Sequence, residues 1–177
     1  MNPRPEFRPA QAEEIARAFQ AEQVEYLFIG KSGAILLGYP GTTQDVDIFP
    51  ARSPANGRRI VAALRKIGFE ISEPLERGII AGNDFVQIKE GPFDVDLVFA
   101  PDGISSFAAA KGRGLKEGIF HVANLRDIIA SKRATGRKKD EIELPLLENF
   151  RVEYEKRHPV QLRSAGDLAA KRSRGKK

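Results

Sequence analysis

Cysteine is absent from this 177-residue chain and histidine occurs only twice. The missing thiols exclude disulfides, thiolate nucleophiles and cysteine-ligated zinc, and point weakly to a reducing compartment. His121 and His158 stand alone, with no metal-ligand partner at a workable spacing. They are read as structural or surface residues. No apolar run comes near the roughly 20 residues that a membrane span needs. The start, Met1-Asn2-Pro3-Arg4-Pro5-Glu6, lacks the apolar stretch of a secretory signal. The expected location is cytoplasmic, with no membrane partner. Internal repeats are also missing.

What remains is an ordinary globular composition, 41% hydrophobic and 30% charged. The length suits one domain with a real core plus a small helical addition. The formal net charge is +5, and much of the excess lies after Pro159, where six basic residues oppose Asp167. That end reads either as a solvated, disordered tail or as an arm touching nucleic-acid phosphates. No aromatic residue interleaves its charges, so base stacking has no support.

In chain order, Ala10 to Gln23 reads as a helix with an apolar face of Ile15, Ala16, Phe19 and Ala21. Arg52-Ser53-Pro54 opens a second helix that carries Ile60, Val61, Leu64 and Ile67 to Gly68. From Phe69 to Phe99 the period changes to two. Phe69–Ile71, Arg77–Ile80, Phe85–Ile88 and Phe93–Phe99 are expected as strands, the last two as an antiparallel hairpin across Glu90-Gly91-Pro92. A short helix over Ser105–Lys111 and a strand over Ile119–Val122 follow. Asn124 caps a further helix, with Asp127 placed for a capping box and Gly136 as the stop. Pro145 is expected in the first turn of the last helix rather than in its interior. The whole reads as an α+β chain with a helical C-terminal segment: a core over 1–112, a completing strand and helices over 113–158, and the basic tail over 159–177.

The stretch Tyr26–Phe49 concentrates the chemistry. Tyr26-Leu27-Phe28-Ile29 is a short buried strand stopped by Gly30. Gly30-Lys31-Ser32-Gly33 then turns the chain into a short helix, an arrangement that aims main-chain N–H groups at a phosphate. A Walker loop would need glycine where Glu25 stands, so that reading is rejected. Asp45 and Asp47 follow two apart on a strand, so their side chains share a face at about 6–7 Å. Converging carboxylates repel, and Mg²⁺, which prefers oxygen ligands, relieves the repulsion. Asp94-Val95-Asp96 is a second pair inside an apolar strand. Asp96 would complete a three-carboxylate metal site if the strands are neighbours, with Asp94 as the register alternative. Lys132 lies four residues after Ile128, near the apolar face of its helix, within a basic cluster that includes Arg133, Arg137, Lys138 and Lys139.

These residues resemble the minimal nucleotidyltransferases of the DNA polymerase β-like superfamily, akin to bacterial abortive-infection and toxin-type members. Ile29-Gly30-Lys31, Gly38 and Thr43-Gln44-Asp45-Val46-Asp47 are similar to the glycine turn and Thr-x-Asp-x-Asp strand of that family. Leu125–Lys132 followed by Gly136–Asp140 is similar to its C-terminal helix-turn motif. The likeness spans about Gln23 to Leu147 and implies a nucleotidyltransferase-like mixed β-sheet packed by helices. It further implies Mg²⁺-dependent transfer from an NTP such as ATP to a hydroxyl acceptor on RNA (tRNA), protein or a small molecule. Asp45, Asp47 and Asp96 would hold the metal, with Lys132 and Asp140 catalytic beside them. Gly30, Lys31, Ser32 and Thr43 would bind the nucleotide. A toxin with a cognate antitoxin partner, or a non-catalytic nucleotide- or nucleic-acid-binding module on the same fold, is also compatible. Two positions depart from the pattern: Lys31 stands at the second Gly/Ser position, and Gly41 where relatives often carry arginine. Lys31 either adds a charged phosphate contact or blocks the nucleotide.

Overall fold

Tyr26-Leu27-Phe28 forms β1 (Tyr26–Phe28), buried at every position, at the middle of the sheet. The computed structural model describes residues 6–159. All but the first residue of the expected basic tail lies outside them. On one side β1 pairs antiparallel with β2 (Asp45–Pro50), and on the other it runs parallel to β6 (Phe120–Val122). Parallel to β2 lies β4 (Asp94–Val98), with β3 (Phe85–Ile88) antiparallel at that edge and β5 (Leu115–Glu117) antiparallel to β6 at the other. The result is a mixed six-stranded sheet ordered β3-β4-β2-β1-β6-β5.

Two helices follow their apolar spacing closely. α1 (Pro9–Ala21) buries Ala12, Ile15, Ala16 and Phe19, and α3 (Pro54–Lys66), capped by the Ser53 hydroxyl, buries Ile60, Val61 and Leu64. Between β1 and β2 sits the short α2 (Gly30–Leu36). Later come α5 (Phe107–Arg113), α6 (Leu125–Thr135) and α7 (Lys138–Arg157). Phe19, Phe28, Ile48, Leu97 and Ile128 are almost wholly removed from water, each burial contributing about 1.5–3 kcal/mol. Buried Asn56 pins α3 to the far ends of β1 and β2. Its amide donates to Glu25 O (3.0 Å) and Ala51 O (2.8 Å), and its carbonyl accepts from Glu25 N (2.9 Å).

Four expectations fail. Phe69–Ile71 is not a strand; it holds to the sheet side by the Glu70 N–H donating to Glu90 O at 2.8 Å. Arg77–Ile80 lies within α4 (Glu73–Ala81), because Ser72 caps Leu75 N and Pro74 fits the first turn. Gly57 makes room for that helix, since a Cβ there would lie 2.7 Å from Ile80 Cα. Pro145 sits inside α7, where it has no N–H for the Glu141 carbonyl, and buried Asp140, Leu147 and Tyr154 on either side hold the helix through it. Finally, Asp127 makes no capping box. Asn124 Oδ1 accepts from Arg126 N (3.0 Å), whereas Asp127 takes a two-pronged pair from Arg113 (3.0 and 3.0 Å). At Leu115–Glu117, where β5 forms, the sequence pattern sets no element.

Candidate active site

Strand alternation places the carboxylates. Along β2, Val46 and Ile48 enter the core while Asp45 and Asp47 take the opposite face. The parallel register sets Asp45 against Asp94 and Asp47 against Asp96, so four carboxylates from two adjacent strands share one face. Burial, then Asp96 and Asp45, pushes the Asp47 carboxyl up to about 7, against the pull of Lys132 and Lys139. Asp96 is pushed to about 6 by burial and then by Asp45, with a hydrogen bond from Gln87 working the other way.

The glycine turn serves this face in a way that the sequence did not disclose. Gly30 has φ +63°, and a Cβ on it would lie 2.3 Å from Asp47 Oδ2. The bare backbone therefore lets Asp47 pack against the turn. Ser32 is wholly buried; its hydroxyl donates to Ile29 O (3.2 Å) and accepts from Asp47 N (3.0 Å). Its side chain is thus spent inside the fold, fixing the strand that carries the carboxylates. Thr43 is half-buried two residues before Asp45, and its carbonyl accepts from Phe7 N at 2.7 Å.

The basic residues arrive from the C-terminal helices. Lys132 Nζ lies 3.3 Å from Oδ1 of buried Asp140 and 3.8 Å from Glu143 Oε2. Lys31 does not project freely from the turn; its ammonium pairs with Glu143 Oε1 at 2.9 Å. Burial, and then the Glu143 carboxylate with which its hydroxyl is hydrogen-bonded, raises the Tyr39 pKa. Gly41 completes the group, because a Cβ there would sit 3.1 Å from Lys31 Cε and 3.0 Å from Tyr39 Cε1. Lys31 and Gly41 are therefore neighbours in the fold. Lys89 acts on Asp96 from the β3–β4 turn. His121 and His158 pack on the rings of Tyr26 and Tyr154 instead.

Glu143 is the site residue that sequence reasoning missed. Its signal was available: Asp140, Glu143 and Leu147 recur at three- and four-residue spacing on one helix face. Placing Pro145 at a helix start cut that face in two and hid it.

Among the described residues no three His, Cys, Asp or Glu side chains are already arranged to hold a metal ion. The donor chemistry nonetheless suits a hard cation. Asp45, Asp47 and Asp96 offer only oxygen, Asp96 and Asp45 add to the rise at Asp47 as Asp45 does at Asp96, and Asp96 Oδ1 is buried without a hydrogen-bond partner.

No family model matches the sequence, and neither does any curated protein. Solved structures do. The chain is similar to ANT(2'')-Ia crystallised in complex with adenylyl-2''-tobramycin, at TM-score 0.54 and 14% identity over 84% of this chain and 97% of that one. It is similar also to the solution structure of the antibiotic-resistance factor ANT(2'')-Ia, at TM-score 0.52 and 14% identity over 85% and 92% of the respective chains. The fold is the nucleotidyltransferase fold, α+β with a mixed sheet and a helical C-terminal segment. At that identity the likeness concerns architecture.

Proposed function

We propose that this chain transfers a nucleotidyl group from an NTP to a hydroxyl acceptor. The observation that carries this reading is the register that stacks Asp47 on Asp96 and Asp45 on Asp94 beside the glycine turn. In the reaction the acceptor oxygen bonds to the α-phosphorus. The bond from that phosphorus to the oxygen bridging to the β-phosphorus breaks, and pyrophosphate leaves. Asp96, set beside Asp47 on the shared face, takes the hydroxyl proton. Gly30, Lys31 and Thr43 border the space for the phosphates, and Ser32 holds Asp47 in place beneath them. Lys132, braced by Asp140, meets the negative charge that accumulates on the leaving pyrophosphate.

Asp45, Asp47 and Asp96 would hold Mg²⁺, which when bound supplies charge neutralisation to the attacking and leaving oxygens. As acceptor, a small-molecule hydroxyl is favoured over RNA or protein, because the similar ANT(2'')-Ia structure contains an adenylyl-tobramycin product. The test is incubation with each α-labelled NTP, Mg²⁺ and separate pools of small hydroxylated molecules, RNA and protein. Label should move to an acceptor with the wild type and not with Asp47→Asn. Equal labelling by the two proteins would sink the reading.

A further inference from the structure

Two lysines from separate elements, Lys31 at the start of α2 and Lys132 on α6, converge on one carboxylate of α7. Their ammonium groups lie 2.9 Å and 3.8 Å from opposite oxygens of Glu143, and all three side chains are at least seventy per cent covered, with 28%, 16% and 17% exposure. Like charges gathered out of water in this way need an anion between them. Glu143 supplies it, with the Tyr39 hydroxyl as a further partner, but one of its oxygens is left short. Oε1 is buried and sits at ion-pair distance from Lys31, yet makes no hydrogen bond of proper geometry. Lys132 has a second partner in Asp140 that would stay in place if Glu143 left. The stem of Lys31 also passes close to Gly41, where a Cβ would lie 3.1 Å from Lys31 Cε.

We propose that Lys31 and Lys132 form an anion-binding pair for a phosphate-type oxyanion, and that Glu143 fills it in the free protein as a displaceable internal anion. Several oxygens on one phosphorus can bridge two ammonium groups as a carboxylate does, and they carry more charge. Placing the pair in a catalytic cycle rests on the nucleotidyl-transfer reading, in which the oxyanion is the polyphosphate of the NTP or departing pyrophosphate. The pair itself can be tested without that reading.

Inorganic pyrophosphate is titrated calorimetrically into the full chain in EDTA, so that carboxylate-held metal plays no part. Glu143→Gln should bind about tenfold more tightly than the wild type, the effect of removing one competing partly buried charge. Adding Lys31→Met to that variant should abolish the gain. Unchanged or weaker binding by Glu143→Gln overturns the proposal, since a merely bracing Glu143 predicts loss. Circular dichroism checks the fold. If Glu143→Gln does not fold, Glu143→Asp is read in its place, with a gain of about threefold expected from the withdrawn carboxylate. No gain there overturns the proposal equally. Pyrophosphate gain without labelled-NTP transfer would reject the enzymatic reading alone, whereas transfer without the gain would reject the anion pair alone.

Discussion

A methyl group on residue 30 would press on the Asp47 carboxylate at 2.3 Å in a backbone conformation that alanine resists. Gly30→Ala should therefore cost about 1–3 kcal/mol, read by urea unfolding, and should displace Asp47 while leaving every charged residue present. Ser32→Ala should cost about 1–2 kcal/mol, because it leaves Asp47 N without its acceptor. Wild-type unfolding midpoints in both variants would contradict this account of the turn. At this scale the aspartates were legible because strand periodicity alone decides their face, and Lys132 because it falls four residues after Ile128. Ser32 and Glu143 were not. Their roles depend on which oxygen lies within 3 Å across the fold, and spacing along the chain does not encode that.

Elements were legible where capping and periodicity agreed. β1, α3 and the β3–β4 hairpin fall where the apolar pattern puts them. α4 was misread because Arg77-Gly78-Ile79-Ile80 imitates a strand end, while the Ser72-Glu73-Pro74 opening carried the decisive helix signal. Pro145 was misread for the opposite reason: local chemistry argued for a helix start, and tertiary contacts at Asp140, Leu147 and Tyr154 overrode it. The helix should therefore gain from losing its proline. Pro145→Ala is expected to raise stability by about 1–3 kcal/mol, measured as an increase in Tm; a decrease would mean that the proline relieves a strain elsewhere in α7. On the outer face Arg126 and Arg133 of α6 pair with Glu155 and Glu148 of α7, Arg126 meeting both oxygens of Glu155 at 2.7 and 3.0 Å, while Arg151 braces the two glutamates within α7. Arg126→Ala should lower Tm by a few degrees at low salt, and by less at high salt, where such pairs are screened.

Across the whole molecule the carboxylate face makes stability depend on pH and on divalent cations. Asp47 and Asp96 keep their protons to about 7 and about 6 in the fold, against about 4 in an unfolded chain. The folded state thus binds more protons between those values, so their contribution favours folding at low pH and is lost as pH rises through the window. In EDTA, Tm should fall from pH 5 to pH 7.5, and the slope should flatten in Asp47→Asn. Mg²⁺ added at pH 7.5 should restore Tm in the wild type and have little effect on that variant. A Tm indifferent to both pH and Mg²⁺ would contradict the clustering of charge on β2 and β4.

On the proposed reading, this face binds a nucleoside triphosphate together with Mg²⁺. Calorimetric titration of each NTP with Mg²⁺ into the wild type, Asp45→Asn and Asp47→Asn measures it most directly, with circular dichroism to show that the fold is kept. Saturable binding of at least one NTP by the wild type is expected, weakened tenfold or more in both variants, roughly the worth of one charged contact. Binding of equal strength in all three proteins would contradict it.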